Sequence, residues 1–219
     1  LIILVIPLTL SAQTEDTKSK LSFNADFRFR VEQDWNSKKS DGAFREDRTR
    51  FRYRLRAGAQ YEDKWYSAGF QIRTGEPNKQ QDPQLTLGDG FKEFSTLPIG
   101  LEKAYFKGIW NTYMFWVGKN TFPFEKSNEL FWSDNVYPEG VFLKKSFRIN
   151  SNIIESVDLM GGHFIMSSTG KSLNQDSYFQ GYQAYIKFFE NRFELFPSLY
   201  LFKNVPNIPD GNETFEINY

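Results

Sequence analysis

The sequence predicts an all-β fold, a transmembrane antiparallel β-barrel, on three observations. Polar and apolar side chains alternate with a period of two, long and short connections alternate along the chain, and aromatic residues gather beside the short turns. Each observation has a physical reading of its own.

The alternation begins at Leu21. Leu21, Phe23, Ala25, Phe27, Phe29 and Val31 are interleaved with Ser22, Asn24, Asp26, Arg28, Arg30 and Glu32. A longer run follows, in which Thr49, Phe51, Tyr53, Leu55, Ala57, Ala59 and Tyr61 alternate with Arg48, Arg50, Arg52, Arg54, Arg56, Gly58 and Gln60. Tyr66, Ala68, Phe70 and Ile72 then alternate with Ser67, Gly69, Gln71 and Arg73. Successive side chains of a strand point to opposite faces, so each run has one apolar and one polar surface. Further strands are expected at about 99–110, 113–120, 140–148, 153–165, 177–189, 192–202 and 213–219, making about ten. Lys144 and Lys145 break the pattern of one strand, the inward face of 113–120 is unassigned, and Pro197 marks an irregularity because it cannot donate to a ladder.

Long polar connections fall at about 36–47, 75–98, 121–138, 166–176 and 203–212, and short ones at 62–63, 111–112, 150–152 and 190–191. Outer-membrane barrels have short periplasmic turns and long extracellular loops, which gives this alternation. Tyr61, Trp65 and Tyr66 flank the first short turn, and Trp110 and Tyr113 the second. Amphipathic rings suit the head-group level of a membrane. A soluble secreted β-sandwich that binds glycans through its aromatics shares the alternation, but has no reason to gather its long loops at one end.

Charge and composition exclude several classes. Lys plus Arg equals Asp plus Glu at 27 each, so no general attraction to nucleic acid is expected. The absence of cysteine removes disulfides and thiol chemistry. Leu1 to Leu10 is an apolar run too short to span a bilayer as a helix, and Ser11-Ala12-Gln13 suits signal cleavage. Residues 1–12 are therefore expected to be a signal-peptide remnant, 13–20 an N-terminal linker and 21–219 the barrel. Residues 213–219 are too few to cross a bilayer, so the barrel is expected to be incomplete.

The main functional feature is the arginine ladder at 48, 50, 52, 54 and 56. Against lipid at mid-depth each charge costs ~2–4 kcal/mol, so this face must meet water or counter-charges. Arg28, Arg30 and Arg73 join it, opposed by Asp26, Glu32 and Asp34, which leaves five positive charges over. Rings of Arg favour anions in pores. The other reading is a salt-bridge network bracing the wall, its missing acids supplied by later strands or an infolded loop.

Lys119, Asp134 and Glu139 are candidate members of a constriction loop. Gly118-Lys119 is no phosphate loop, because Tyr113 occupies the required glycine position. His163, the only histidine, has the partners of neither a metal site nor a triad in the sequence. No catalytic role, metal or cofactor is expected. A hydrolase using Asp134 or Glu139 is the enzyme alternative, and a loop-plugged structural or export barrel the structural one.

Several stretches resemble the putative porins of Bacteroidetes-type bacteria and, more distantly, alginate-export-type outer-membrane barrels. These are Phe27-Arg28-Phe29-Arg30, Arg48 through Arg56, Ser67-Ala68-Gly69-Phe70 to Thr74-Gly75, and Glu102-Lys103-Ala104-Tyr105-Phe106. Gly118-Lys119-Asn120, Pro123-Phe124, Trp132-Ser133-Asp134 and Pro138-Glu139-Gly140-Val141 complete the set, which covers roughly residues 21–148. The resemblance implies an outer-membrane porin, exported through the periplasm and passing small hydrophilic solutes. Its partners would be the lipid bilayer and lipopolysaccharide, with homo-oligomerisation left open.

Overall fold

In the computed structural model the described residues are 8–13, 19–75, 80, 83–88, 98–149, 151, 153–168, 172, 175–189 and 192–205. The strand expected at 213–219 lies outside them. The described residues form twelve strands: β1 (Leu8–Gln13), β2 (Lys20–Asp34), β3 (Arg48–Glu62), β4 (Tyr66–Thr74), β5 (Leu85–Thr86) and β6 (Ile99–Trp110) come first. They are followed by β7 (Tyr113–Lys119), β8 (Glu139–Arg148), β9 (Ile154–Ser167), β10 (Ser177–Phe188), β11 (Phe193–Leu195) and β12 (Ser198–Lys203). No α-helix occurs among the described residues.

The chain divides into two units, residues 1–106 with 133–137, and residues 107–132 with 138–219. In the first, hydrogen bonding orders the strands β1-β2-β3-β4-β6, with β5 on β3. In the second, the order is β6-β7-β8-β9-β10, with β11 and β12 each on β10. The antiparallel sheet is open among the described residues, the arrangement of an incomplete barrel.

The expected alternation sets the register. Phe27 faces Leu55, Phe29 faces Tyr53 and Val31 faces Phe51 across β2 and β3, so apolar side chains share one surface. Such side chains stay uncovered: Phe23, Phe51, Leu55 and Phe70 in the first unit, and Val117, Val141, Leu143 and Leu199 in the second, are exposed. An apolar face this extensive suits lipid and is untenable in water. β2 and β3 have 15 residues each, beyond the ~9–11 that a tilted membrane strand needs, so they project past the hydrocarbon.

Departures from the alternation have local causes. β1, which falls within the residues expected to be a signal remnant and linker, pairs antiparallel with Ser22–Phe27 of β2. The strand expected at 192–202 is two, β11 and β12, separated by Phe196-Pro197. Pro197 lacks an N–H, but its carbonyl accepts from Ala184 N at 3.1 Å, so only one side of the ladder is lost. Lys144 and Lys145 divide between the faces. Lys144 Nζ meets Asp158 at 3.2 Å, while Lys145 Nζ lies 3.7 Å from the Tyr113 ring centroid. The long Lys145 stem thus covers apolar surface while its charge rests on an aromatic beside the short turn. At the first short turn, Tyr66 stacks on Phe106 at 5.6 Å and meets Trp65 edge-on at 5.1 Å.

Substitution at the two faces should therefore differ. Leu55→Arg places a charge in lipid and should cost ~2–4 kcal/mol, seen as loss of heat-modifiable gel migration of the intact protein. Arg28→Gln on the polar face should leave migration unchanged.

Candidate functional site

The polar face of the first unit is built by the same register. Asp26 opposes Arg56, Arg28 opposes Arg54, Arg30 opposes Arg52, Glu32 opposes Arg50 and Asp34 opposes Arg48. Five arginines spaced by two along β3 repel, and the acids of β2 answer that by bridging to them both directly across and diagonally. Asp34 takes Arg48 at 2.9 Å and Arg50 at 3.0 Å. Glu32 takes Arg50 at 2.9 Å, Arg52 at 3.6 Å and also Arg30. Asp26 takes Arg54, which is 6 % exposed. The sequence alone leads one to expect Arg54 in open water; the Asp26 carboxylate buries it instead. Among the described residues Arg28 has no ion-pair partner.

Arg56 loses its opposite acid to Arg54 and finds another on β6. Glu102, 1 % exposed, meets Arg56 Nη2 at 2.8 Å and Arg73 Nε at 3.9 Å. Two guanidinium groups around one carboxylate offset the desolvation of all three. Ser133–Tyr137 closes this centre. Arg56 Nη2 donates to Asn135 Oδ1 at 2.7 Å, and the Tyr137 backbone N–H donates to Gln80 Oε1 at 2.8 Å. Burial, and then the Glu102 charge, push the Tyr137 phenol above its ordinary pKa. Above the ladder, Arg52 Nη2 donates to the Gln84 carbonyl at 3.3 Å, and Thr74 Oγ1 accepts from Leu55 N at 3.0 Å. Gly75, at φ 110°, makes the turn after Thr74; a Cβ there would lie 2.6 Å from Arg73 Nη1.

The second unit carries a different surface. Its buried core is Trp116, Phe124, Phe142, Met160, Phe164 and Phe179, from four strands and the connection after β7. That connection, 120–132, lies on the sheet by aromatic contacts: Phe124 meets Phe142 edge-on at 5.6 Å, and Trp132 meets Phe179 at 5.2 Å. Phe122 and Trp132 stack at 4.4 Å. Gly181 leaves bare backbone beneath the Phe124 ring, where a Cβ would come within 2.5 Å. Buried Gln183 fixes the chain by a two-way bond. It accepts from Glu125 N at 2.8 Å and donates to Glu125 O at 2.9 Å. At the base of the loop Lys119 Nζ meets Glu139 at 2.6 Å.

Of the candidate loop residues, Lys119 and Glu139 are thus brought together across β7 and β8. Asp134 sits on an exposed turn in which Val136 N donates to Ser133 O at 3.0 Å. His163 rests against Tyr178, 4.7 Å between ring centroids, and bonds Gln180 at 3.2 Å. No metal-holding cluster occurs among the described residues.

Sequence reasoning missed Glu102 and Gln183 as organising residues. Glu102 precedes Lys103, and the phase of β6 changes there. Leu101 is exposed with the apolar face, whereas Glu102 meets Arg56 and Tyr105 reaches Gln60 on the polar one. The signal was present in the odd count of acids against the ladder. A lone Gln on a strand, as at 183, gave none.

An antiparallel sheet with an uncovered apolar face, a charged opposite face and aromatics beside its short turns defines a membrane β-barrel protein. Residues 22–216 match the family model described as "Putative porin", and the chain belongs to that family. It is accordingly a porin-like channel of the outer membrane. No curated protein and no solved structure matches the chain.

The two kinds of ion pair should respond differently to neutralisation. Glu102→Gln removes the carboxylate that Arg56 and Arg73 share and should cost ~3–5 kcal/mol in urea unfolding. Glu139→Gln, in the exposed pair with Lys119, should cost ~1 kcal/mol or less.

Proposed function

We propose that the protein is a passive aqueous channel for small hydrophilic solutes, with a polar wall that favours anions and no catalytic role. Arg28, Arg30, Arg48, Arg50, Arg52, Arg54, Arg56 and Arg73 are the pore-lining residues. The observation that carries this reading is the charge balance on one face. Eight arginines share it with the four acids they pair with, Asp26, Glu32, Asp34 and Glu102, so the arginines outnumber those acids by four. Most ladder arginines brace the wall through these acids, which reconciles the two sequence-based readings. Arg28 is the position from which an unbalanced charge reaches solvent.

A fixed charge of this kind raises the local anion concentration within one Debye length, ~8–10 Å near physiological salt. The connection between β7 and β8, with Asp134 on it and Lys119 and Glu139 paired at its base, is the candidate constriction loop. The hydrolase alternative is disfavoured because the Glu139 carboxylate is engaged by Lys119 at 2.6 Å. Residues 1–12 are read as a signal remnant that directs export through the periplasm, 13–20 as a linker and 21–219 as the barrel. The apolar face meets the bilayer, including lipopolysaccharide.

The test is the reversal potential of the intact protein in a planar bilayer under a salt gradient. The wild type should prefer chloride, with the preference fading as salt rises. Arg28→Gln should shift the reversal potential toward cations at similar conductance. A reversal potential unmoved by Arg28→Gln in a well-assembled channel would reject the selective role and leave bracing as the function of the ladder.

A further inference from the structure

Below the ladder, toward the first short turn, the polar face of the first unit changes character. Amides and hydroxyls predominate there, from Ser22, Asn24, Gln60, Gln71 and Tyr105, with the charged Lys20, Glu62 and Lys103 beside them. They line a cavity of about 420 Å³, within the range of small-molecule sites. Two glycines keep its floor low. A Cβ at Gly58 would lie 2.8 Å from Asn24 Oδ1, and one at Gly69 would lie 2.9 Å from the Tyr105 hydroxyl. Asn24 and Tyr105 therefore lie across bare backbone.

The hydrogen bonds inside the cavity orient one amide and leave two available. Tyr105 Oη donates to Gln60 Oε1 at 3.1 Å, and Gln60 Nε2 donates to Glu62 Oε1 at 2.5 Å. Gln60 is thereby spent on structure and its orientation fixed. The side chains of Asn24 and Gln71 have no hydrogen-bond partner among the described residues, and each presents one acceptor and one two-proton donor. The Lys103 ammonium is directed to the Tyr137 ring, 5.1 Å from its centroid. What remains is a concave site with paired donors and acceptors, at whose end the exposed Lys20 and Glu62 stand opposite each other in register with opposite charges.

Vicinal hydroxyls, each both donor and acceptor, match such amides, whereas simple anions leave the amide carbonyls unpaired. We propose that this cavity is a binding station for a neutral polyhydroxylated solute of monosaccharide size, held by Asn24 and Gln71. The proposal rests on the channel reading for the route by which solute arrives, but the site itself is measured separately.

Glucose is the probe, with cyclohexanol as the control of similar ring size lacking the hydroxyl array. Equilibrium binding is followed on the intact, detergent-solubilised protein, and chloride conductance on the same preparation in bilayers. Glucose should bind saturably and cyclohexanol should not. Asn24→Ala combined with Gln71→Leu should weaken glucose about tenfold, the loss of two modest hydrogen bonds, with chloride conductance unchanged. Wild-type protein that conducts chloride yet binds glucose no better than cyclohexanol would overturn the station and leave the channel. Equal glucose affinity in wild type and double variant would also overturn it. Saturable glucose binding that the double variant weakens, in protein that passes no chloride, would uphold the station and overturn the channel.

Discussion

A charge cannot rest against hydrocarbon at mid-depth without a cost of several kcal/mol, and the rest of this structure follows from that constraint. β3 carries five arginines at a spacing of two, so all of them must leave by the same face. Once that face is fixed, so is the opposite one, and Phe51, Tyr53 and Leu55 are committed to lipid. The register with β2 then has no freedom, because a slip of one residue would send Arg28 and Arg30 into the bilayer.

The same constraint creates a second problem, the mutual repulsion of the arginines, and the acids solve it unevenly. Glu32 and Asp34 each serve the arginine opposite and the next one along, whereas Asp26 serves Arg54 instead of the opposite Arg56, which leaves Arg56 to find another acid. Glu102 meets that demand from β6, at the point where the strand changes phase. A network made this way is rigid, and it leaves excess charge at Arg28. The second unit meets the polar side of its strands with rings and a folded connection. Aromatic stacking and the Gln183 clamp there perform the task that ion pairs perform in the first unit.

Much of this was legible in the residues. The period of two gave the three long N-terminal strands and both of their faces, since backbone geometry alone decides which side chains share a side. The short-turn aromatics were legible for the same reason. Glu102 was harder, because a phase change within β6 breaks the pattern that reveals faces. The inner face of β7 was hidden differently. Trp116 and Phe115 are both aromatic, and only the packing of 120–132 makes Trp116 the buried one. Lys144 and Lys145 looked like an interruption because a snorkelling lysine and an ion-paired one are identical in sequence.

The central claim is the assignment of faces on β3, and the absence of native cysteine makes it directly measurable. Single cysteines placed one at a time at Phe51, Tyr53 and Leu55, and at Arg28, Gln60 and Gln71, can be challenged in intact outer membranes with a charged, membrane-impermeant maleimide. The account predicts labelling at 28, 60 and 71 and protection at 51, 53 and 55, with protection at the latter lifted by detergent. Labelling at 53 and 55 in the membrane, with 28 and 60 protected, would contradict it.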